Sequence, residues 1–365
     1  SSRSFFGAMG ELEGDSTQTV AYRPIGKSIV NGADVPTPKL RQPTPAPEPV
    51  VPILNVSVKW FVLVFLVVQN AGSNLMMRLC MTTQVGGEGG HVNNQTVVVM
   101  QEVTKALISG LLLLREGGLS TAFSNKKEVL KTAVPALLYL AQNNMAYLAV
   151  SYLDAPTFAV LYQLKVLTTA LMSVVMLGKV LSGTQWFSLV VLFAGVSCVA
   201  LAQMKPEEKT AAETSRPPVA NLATGVLLIV SAATCSGLAG VYLEKILKGS
   251  TVSLWARNLQ LSLYGAAVGL SSIAFTTPDV WRSGFFAGYS GVVWSAILNN
   301  ALGGILVALA IQYADNILKN FSTSVAIILT AVLSAAFLGT QVEPLFAAGG
   351  VLVIYAVLMY GGVLG

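Results

Sequence analysis

"APTFAVLYQLKVLTTALMSVVMLG", residues 155–178, carries no charge except at Lys165. Its length suits one crossing of a bilayer, whose hydrocarbon core of about 30 Å takes about 20 helical residues. A lysine near the centre of such a span costs about 2.5–3.5 kcal/mol on insertion scales. It cannot snorkel out, because half the hydrocarbon thickness is about 15 Å and the stem is far shorter. Lys165 must therefore face a wet cavity, a buried acid or an anionic ligand.

The rest of the chain supports a membrane reading. It has 365 residues, 54% hydrophobic and 11% charged, and a mean hydropathy of +0.67. That is too apolar for an ordinary soluble domain and fits a multi-pass membrane protein. Spanning-length apolar stretches recur at 58–82, 94–115, 131–153, 155–178, 182–203, 221–247, 252–276, 289–313, 316–339 and 343–363. Ten spans place both termini on one side. With the N-terminus cytosolic, the cytosolic loops hold Arg115, Lys126, Lys127, Lys131, Lys179, Lys245 and Lys248, against Lys205, Lys209, Arg216 and Arg282 opposite. That excess predicts cytosolic termini. Residues 1–57 are polar and proline-rich ("PTPKLRQPTPAPEPVVP"), the composition of a disordered cytosolic tail, leaving 58–363 as the helical domain. In the first loop of this arrangement, away from the cytosol, Asn94-Gln-Thr96 forms a glycosylation sequon.

Several function classes fall away. Cys80, Cys198 and Cys235 lie inside apolar runs and form neither a disulfide framework nor a metal site. The net charge of +5 is scattered without a basic, aromatic-interleaved patch, so nucleic acid is not a partner. "GGEGG" at 86–90 lacks the Lys and Ser/Thr of a phosphate loop, and the only histidine, His91, has no nucleophile beside it. No enzyme, cofactor or metal is expected.

An internal repeat is visible in spacing. "SYLDA" closes the third span and "QYADN" the eighth, with Asp154 and Asp315 in matching places; Asn143-Asn144 and Asn299-Asn300 precede them, and Gly178 and Gly339 follow. Helices five spans apart cross the membrane in opposite senses, so the expected fold is all-α, with ten transmembrane helices in two inverted five-helix repeats. Inverted repeats are the architecture of alternating-access transporters.

The polar residues inside spans suggest the cargo. Glu102 is the only acid deep in a span, and Lys105, three residues on, can satisfy it locally. That leaves Lys165 for an anion. Lys319 lies about one turn into the ninth span, close enough to the interface to snorkel, yet Asp315 reads as its N-cap, where free N–H groups and the dipole can meet phosphate. Tyr139 and Asn143 lie one turn apart on the third span; Asn258, Ser262 and Gly265 share a face of the seventh. Such groups suit a nucleobase or hydrogen-bond between helices. Ser236, Gly237 and Gly240 in "CSGLAGVY" let helices pack closely or let backbone approach a ligand.

Together, "VPALLYLAQNNMAYLAV", "TFAVLYQLKVLTTAL", "SGLAGVYLEKILKGS" and "YADNILKNFSTS" resemble the Golgi nucleotide-sugar transporters for CMP-sialic acid, UDP-galactose and UDP-N-acetylglucosamine. The resemblance runs from about the second span to the end. It implies a drug/metabolite transporter-like fold in the Golgi membrane, exchanging a nucleotide sugar for a nucleoside monophosphate; a homodimer is allowed. It further implies that Lys165 and Lys319 contact phosphate, that Tyr139, Asn143 and Asn258 line the nucleotide site, and that Gly237 and Gly240 let a helix approach the nucleotide. Asn320 departs from the pattern, since glycine usually follows the lysine, and Leu238 stands where phenylalanine is common. Thr157-Phe158, "GFFAGY" and "VEPLF" resemble the UDP-sugar branches. The expected function is thus UDP-sugar/UMP antiport, with CMP-sialic acid/CMP exchange as the alternative and a non-transporting nucleotide-binding scaffold as the rival of another class.

Overall fold

The computed structural model describes residues 50–51, 56–84, 92–116, 118–204, 219–338 and 343–362. The tail expected over 1–57 lies outside them, except for a short antiparallel pairing of β1 (Val50–Val51) with β2 (Val56–Ser57). "GGEGG", His91 and Gly339 also lie outside the described residues. Contacts divide the chain after Phe61, four residues into the first long helix, and the larger unit is Val62–Gly365.

That unit is helical among the described residues. The elements are α1 (Val58–Gln84), α2 (Asn94–Glu116), α3 (Ser120–Phe123), α4 (Lys126–Val150), α5 (Ala155–Tyr162), α6 (Lys165–Leu177) and α7 (Gly183–Ala202). There follow α8 (Val219–Lys248), α9 (Leu254–Thr276), α10 (Val280–Ser283), α11 (Gly291–Tyr313), α12 (Asn316–Leu338) and α13 (Pro344–Tyr360). Among the described residues, eight segments are long and apolar enough to cross a membrane, α5 and α6 counting as one. The sequence predicts ten. Of the other two, α4 carries Gln142, Asn143 and Asn144 in its middle, and α13 is apolar but only 17 residues long.

Chain turns follow from capping chemistry. Asp154 accepts from the Thr157 N–H and starts α5; Asp315 accepts from the Leu318 N–H at 2.7 Å and starts α12. The aspartates matched in the sequence are therefore matched as caps. Ser182 and Gln185 form a reciprocal capping box at the start of α7. Gly178 ends α6 in the left-handed conformation, φ 65°, that glycine adopts without strain.

The helices pack through small residues. A Cβ on Gly349 of α13 would stand 2.8 Å from the Gly195 carbonyl of α7, so these backbones touch directly. Nearby, Val166 and Ala170 of α6, Leu189, Leu192 and Val196 of α7, Ile317 and Phe321 of α12, and Val353 and Ala356 of α13 form one buried cluster. Large apolar side chains such as Leu111, Val175 and Val351 point outward, as in helices that meet hydrocarbon rather than water.

One span departs from the sequence reading. The stretch 155–178 is two helices: the Gln163 and Leu164 N–H groups bond to the carbonyls of Val160 and Leu161, three residues back, and α6 starts anew at Lys165. A tight turn of this kind inside a span often marks a functional site. It places Tyr162, Gln163 and Lys165 on one wall of a cavity.

Candidate functional site

The cavity, of about 190 Å³, lies between α4, α8, α12 and the α5–α6 break. Tyr139 and Gln142 come from α4, Ser236 from α8, and Asn316, Lys319, Asn320, Thr323 and Ser324 from α12. Two ammonium groups dominate it. The Lys165 Nζ stands over the Tyr162 ring, 4.5 Å from its centroid, a cation–π contact that offsets part of the cost of its burial. Among the described residues no carboxylate lies within ion-pair distance of Lys165 or Lys319, and none lines the cavity. Glu102, the acid the sequence offers as a rival partner, is held by Lys105 on its own helix at 2.7 Å.

Polar groups with spare bonding capacity surround the lysines. Gln142 Nε2 donates to the Tyr162 hydroxyl at 3.3 Å, while its Oε1 is buried without a partner. The Asn316 side chain is buried, and its Oδ1 also lacks a partner. A buried polar atom left unpaired costs about 1–3 kcal/mol, which a hydrogen-bonding ligand removes. Two cations, several amides and hydroxyls, and aromatic faces can together bind a compact dianion carrying a ring and hydroxyl groups.

Of the nine residues singled out in the sequence, Lys165, Lys319, Tyr139 and Ser236 come together here. Gly237 serves helix approach: a Cβ there would stand 2.8 Å from the Thr168 carbonyl carbon, and the Thr168 hydroxyl reaches across to the Ala233 carbonyl at 2.8 Å. Gly240 faces the Asn316 carboxamide, 2.3 Å from where its Cβ would be, and so acts on the cavity through that residue. Asn143 is exposed on α4 and does not line the cavity. Asn258 and Ser262 are buried on α9 outside its lining, with the Ser262 hydroxyl donating to the Asn258 carbonyl at 2.7 Å.

The start of α12 corrects the expected phosphate cradle. The Asn316 N–H donates to Glu244 Oε2 at 3.0 Å and the Leu318 N–H to Asp315, so two first-turn donors are already taken by carboxylates. Negative charge there also neutralises the dipole end. Among the described residues, the cations lining the cavity are Lys165 and Lys319.

Other lining residues went unnoticed in the sequence. Asn316 and Thr323 stand three before and four after Lys319, on its helix face, so helical spacing could have found them. Tyr162 and Gln163 lie within the quoted "YQLK" itself. Choosing Gln142 over Asn143 needed the rotation of α4, which adjacent amides do not encode.

Residues 54–361 match the sequence profile of the nucleotide-sugar transporters. The chain is 45% identical over 314 residues to the UDP-galactose translocator of Bos taurus, covering 83% of this chain and 77% of that protein. The Homo sapiens translocator gives the same identity and coverage. Against the UDP-N-acetylglucosamine transporter of Canis lupus familiaris it is 38% identical over 320 residues, covering 84% of this chain and 96% of that protein. A solved crystal structure aligns with TM-score 0.58 at 13% identity, covering 81% of this chain and 95% of that one, a likeness of fold alone.

Proposed function

The chain belongs to the nucleotide-sugar transporter family, and we propose that it is an antiporter carrying a UDP-sugar, UDP-galactose or UDP-N-acetylglucosamine, across a Golgi membrane in exchange for UMP. One observation carries this reading: two lysines share a cavity in a membrane-spanning bundle, and among the described residues no carboxylate lines it. Unpaired cations in that setting suit an anion. The diphosphate of a UDP-sugar and the monoester of UMP each bring about two negative charges near neutral pH, so exchange is nearly electroneutral. An empty carrier must reorient with its positive charge stranded, which ties inward movement to outward movement.

Alternating access in this proposal uses ten spans in two inverted repeats, with α4 and α13 as the third and tenth. The helix pairing supports it. α2 packs extensively on α9, the second span on the seventh, and α7 on α13, the fifth on the tenth, as two-fold-related partners would. Both termini are then cytosolic. Tyr139, Gln142 and Ser236 would orient the nucleoside, while Lys165 and Lys319 hold phosphate. The test is labelled UDP-sugar uptake into proteoliposomes loaded with UMP. Stimulation over empty vesicles is expected, with competition by UMP stronger than by CMP. Uptake indifferent to the trans nucleotide overturns antiport, and stronger competition by CMP transfers the assignment to CMP-sialic acid.

A further inference from the structure

The cavity is smaller than the 300–1,000 Å³ of ligand-filled sites, so a nucleotide sugar enters or leaves only if its walls part. One end of the walls is tied by charge. Lys179, the residue after the Gly178 cap of α6, pairs with Glu244 of α8 at 2.9 Å and with Asp315, the cap of α12, at 3.2 Å. Glu244 is 1% exposed and also pairs with Lys248 at 3.0 Å, and Lys248 donates to the Ala314 carbonyl at 2.5 Å. Two cations and two carboxylates thus bind the end of α6, the end of α8 and the start of α12 into one neutral knot. Both cavity lysines ride on helices in that knot, Lys165 on α6 and Lys319 on α12.

Asn316 belongs to the knot and to the cavity at once. Its backbone N–H donates to Glu244 Oε2 at 3.0 Å, and its side chain lines the cavity. The carboxamide is 1% exposed with the residue, lies against Gly240, and presents an Oδ1 without a partner. Resting on the antiporter reading, we infer that the Lys179–Glu244–Asp315–Lys248 knot is the gate at one mouth of the cavity, and that Asn316 is the positioning residue through which cargo opens it. A hydroxyl or N–H of the nucleoside common to both cargoes donates to the free Oδ1. The carboxamide then leaves Gly240, the peptide N–H turns away from Glu244, and the gate loses one of its bonds to α12, leaving the Lys179–Asp315 pair and the Lys248 contact to Ala314 to carry that tie. On the orientation proposed above, this is the cytosolic mouth.

The experiment compares uptake of labelled UDP-sugar into UMP-loaded and empty proteoliposomes for wild type, Asn316→Ala, Asn316→Ser and Glu244→Gln. Wild-type exchange is the reference; if it is absent, the antiporter reading itself fails. Asn316→Ala is expected to raise KM about tenfold for both UDP-sugar and UMP and to bring the loaded-to-empty ratio toward one. Asn316→Ser restores an acceptor and recovers part of both; it also serves as the reporter should the alanine variant not fold. Glu244→Gln is expected to raise uptake into empty vesicles severalfold, because a weakened gate opens without cargo. With exchange intact in the wild type, unchanged KM and coupling in both Asn316 variants overturn the inference. So does unchanged empty-vesicle uptake in Glu244→Gln. A KM rise confined to the UDP-sugar overturns the assignment to the shared nucleoside.

Discussion

Arg257 in one region of this bundle and the two cavity lysines in another treat positive charge in opposite ways. Arg257 on α9 is 1% exposed and surrounded by acceptors: it pairs with the Glu128 carboxylate and donates to the Glu128 carbonyl at 2.7 Å, the Thr132 hydroxyl at 2.9 Å and the Ser250 hydroxyl at 2.9 Å. Gln260 extends the clasp, accepting from Thr132 at 2.7 Å and donating to the Ala122 carbonyl. Lys165 and Lys319 have no carboxylate partner among the described residues, only an aromatic face and neutral amides. A charge bonded on most sides holds helices together; a charge without a counter-ion among the described residues is what the proposed anionic cargo would meet. The residue types follow suit, since a guanidinium fork can serve several fixed acceptors, while an ammonium on a flexible stem follows a moving phosphate.

Removing one charge from each place gives the sharpest contrast. Lys165→Ala is expected to cut exchange at least about a hundredfold, about 2.7 kcal/mol of lost cargo stabilisation at 1.36 kcal/mol per tenfold, with no loss of thermal stability because no partner is stranded. Lys319→Ala should behave alike. Exchange assays beside unfolding midpoints in detergent check both; wild-type exchange by Lys165→Ala would break the comparison. Arg257→Met should do the reverse, destabilising by about 3 kcal/mol because the Thr132 and Ser250 hydroxyls and the Glu128 carbonyl lose their charged donor and the Glu128 carboxylate keeps only Lys131, while any folded fraction still binds UMP. That is read from yield, midpoint and UMP-induced thermal shift.

A neutral change between the two regions should have a smaller effect. Gly237→Ala forces a methyl against the backbone of Thr168 and Thr169, where nothing flexible can yield. Overpacking of that kind costs about 1–3 kcal/mol, so a lowered midpoint is expected, with weaker exchange as α6 is pushed out of place. An unchanged midpoint would show that the α6–α8 approach is loose.

The smallest effect is expected from protons. In the first turn of α4, the Lys131 ammonium first and the Arg257 guanidinium second hold the Glu128 carboxyl below its usual range, against burial. A depressed carboxyl contributes stability fully above its unfolded value, about 4.3, and loses it as pH falls through the lower folded value. Midpoints should therefore be insensitive to this group from pH 7 to 5 and fall only below about 4, and Glu128→Gln should flatten that acid limb.

Much of the architecture could be read directly. Asp154 and Asp315 fall where the sequence matched them, as caps of α5 and α12, and Lys105 does satisfy Glu102. The lining of the cavity was legible at its charges and not at its amides. Lys165 announces itself because an ammonium at the centre of an apolar span has few explanations, whereas Lys319, one turn from the interface, could also snorkel. Asn143, Asn258 and Ser262 were as plausible as Gln142 and Asn316, and only the latter two line the cavity. A polar uncharged residue pays too little for a wrong position to betray its own direction.

By itself, then, the sequence determined that the chain lives in a membrane, roughly where its helices run, and which charges lack an obvious partner. These follow from transfer energies that each segment incurs alone. Tertiary structure decided the break before Lys165, the rotation that sends Gln142 rather than Asn143 inward, and the knot joining Lys179, Glu244 and Asp315 across three elements. Those depend on contacts between residues far apart in the chain, which no local pattern records.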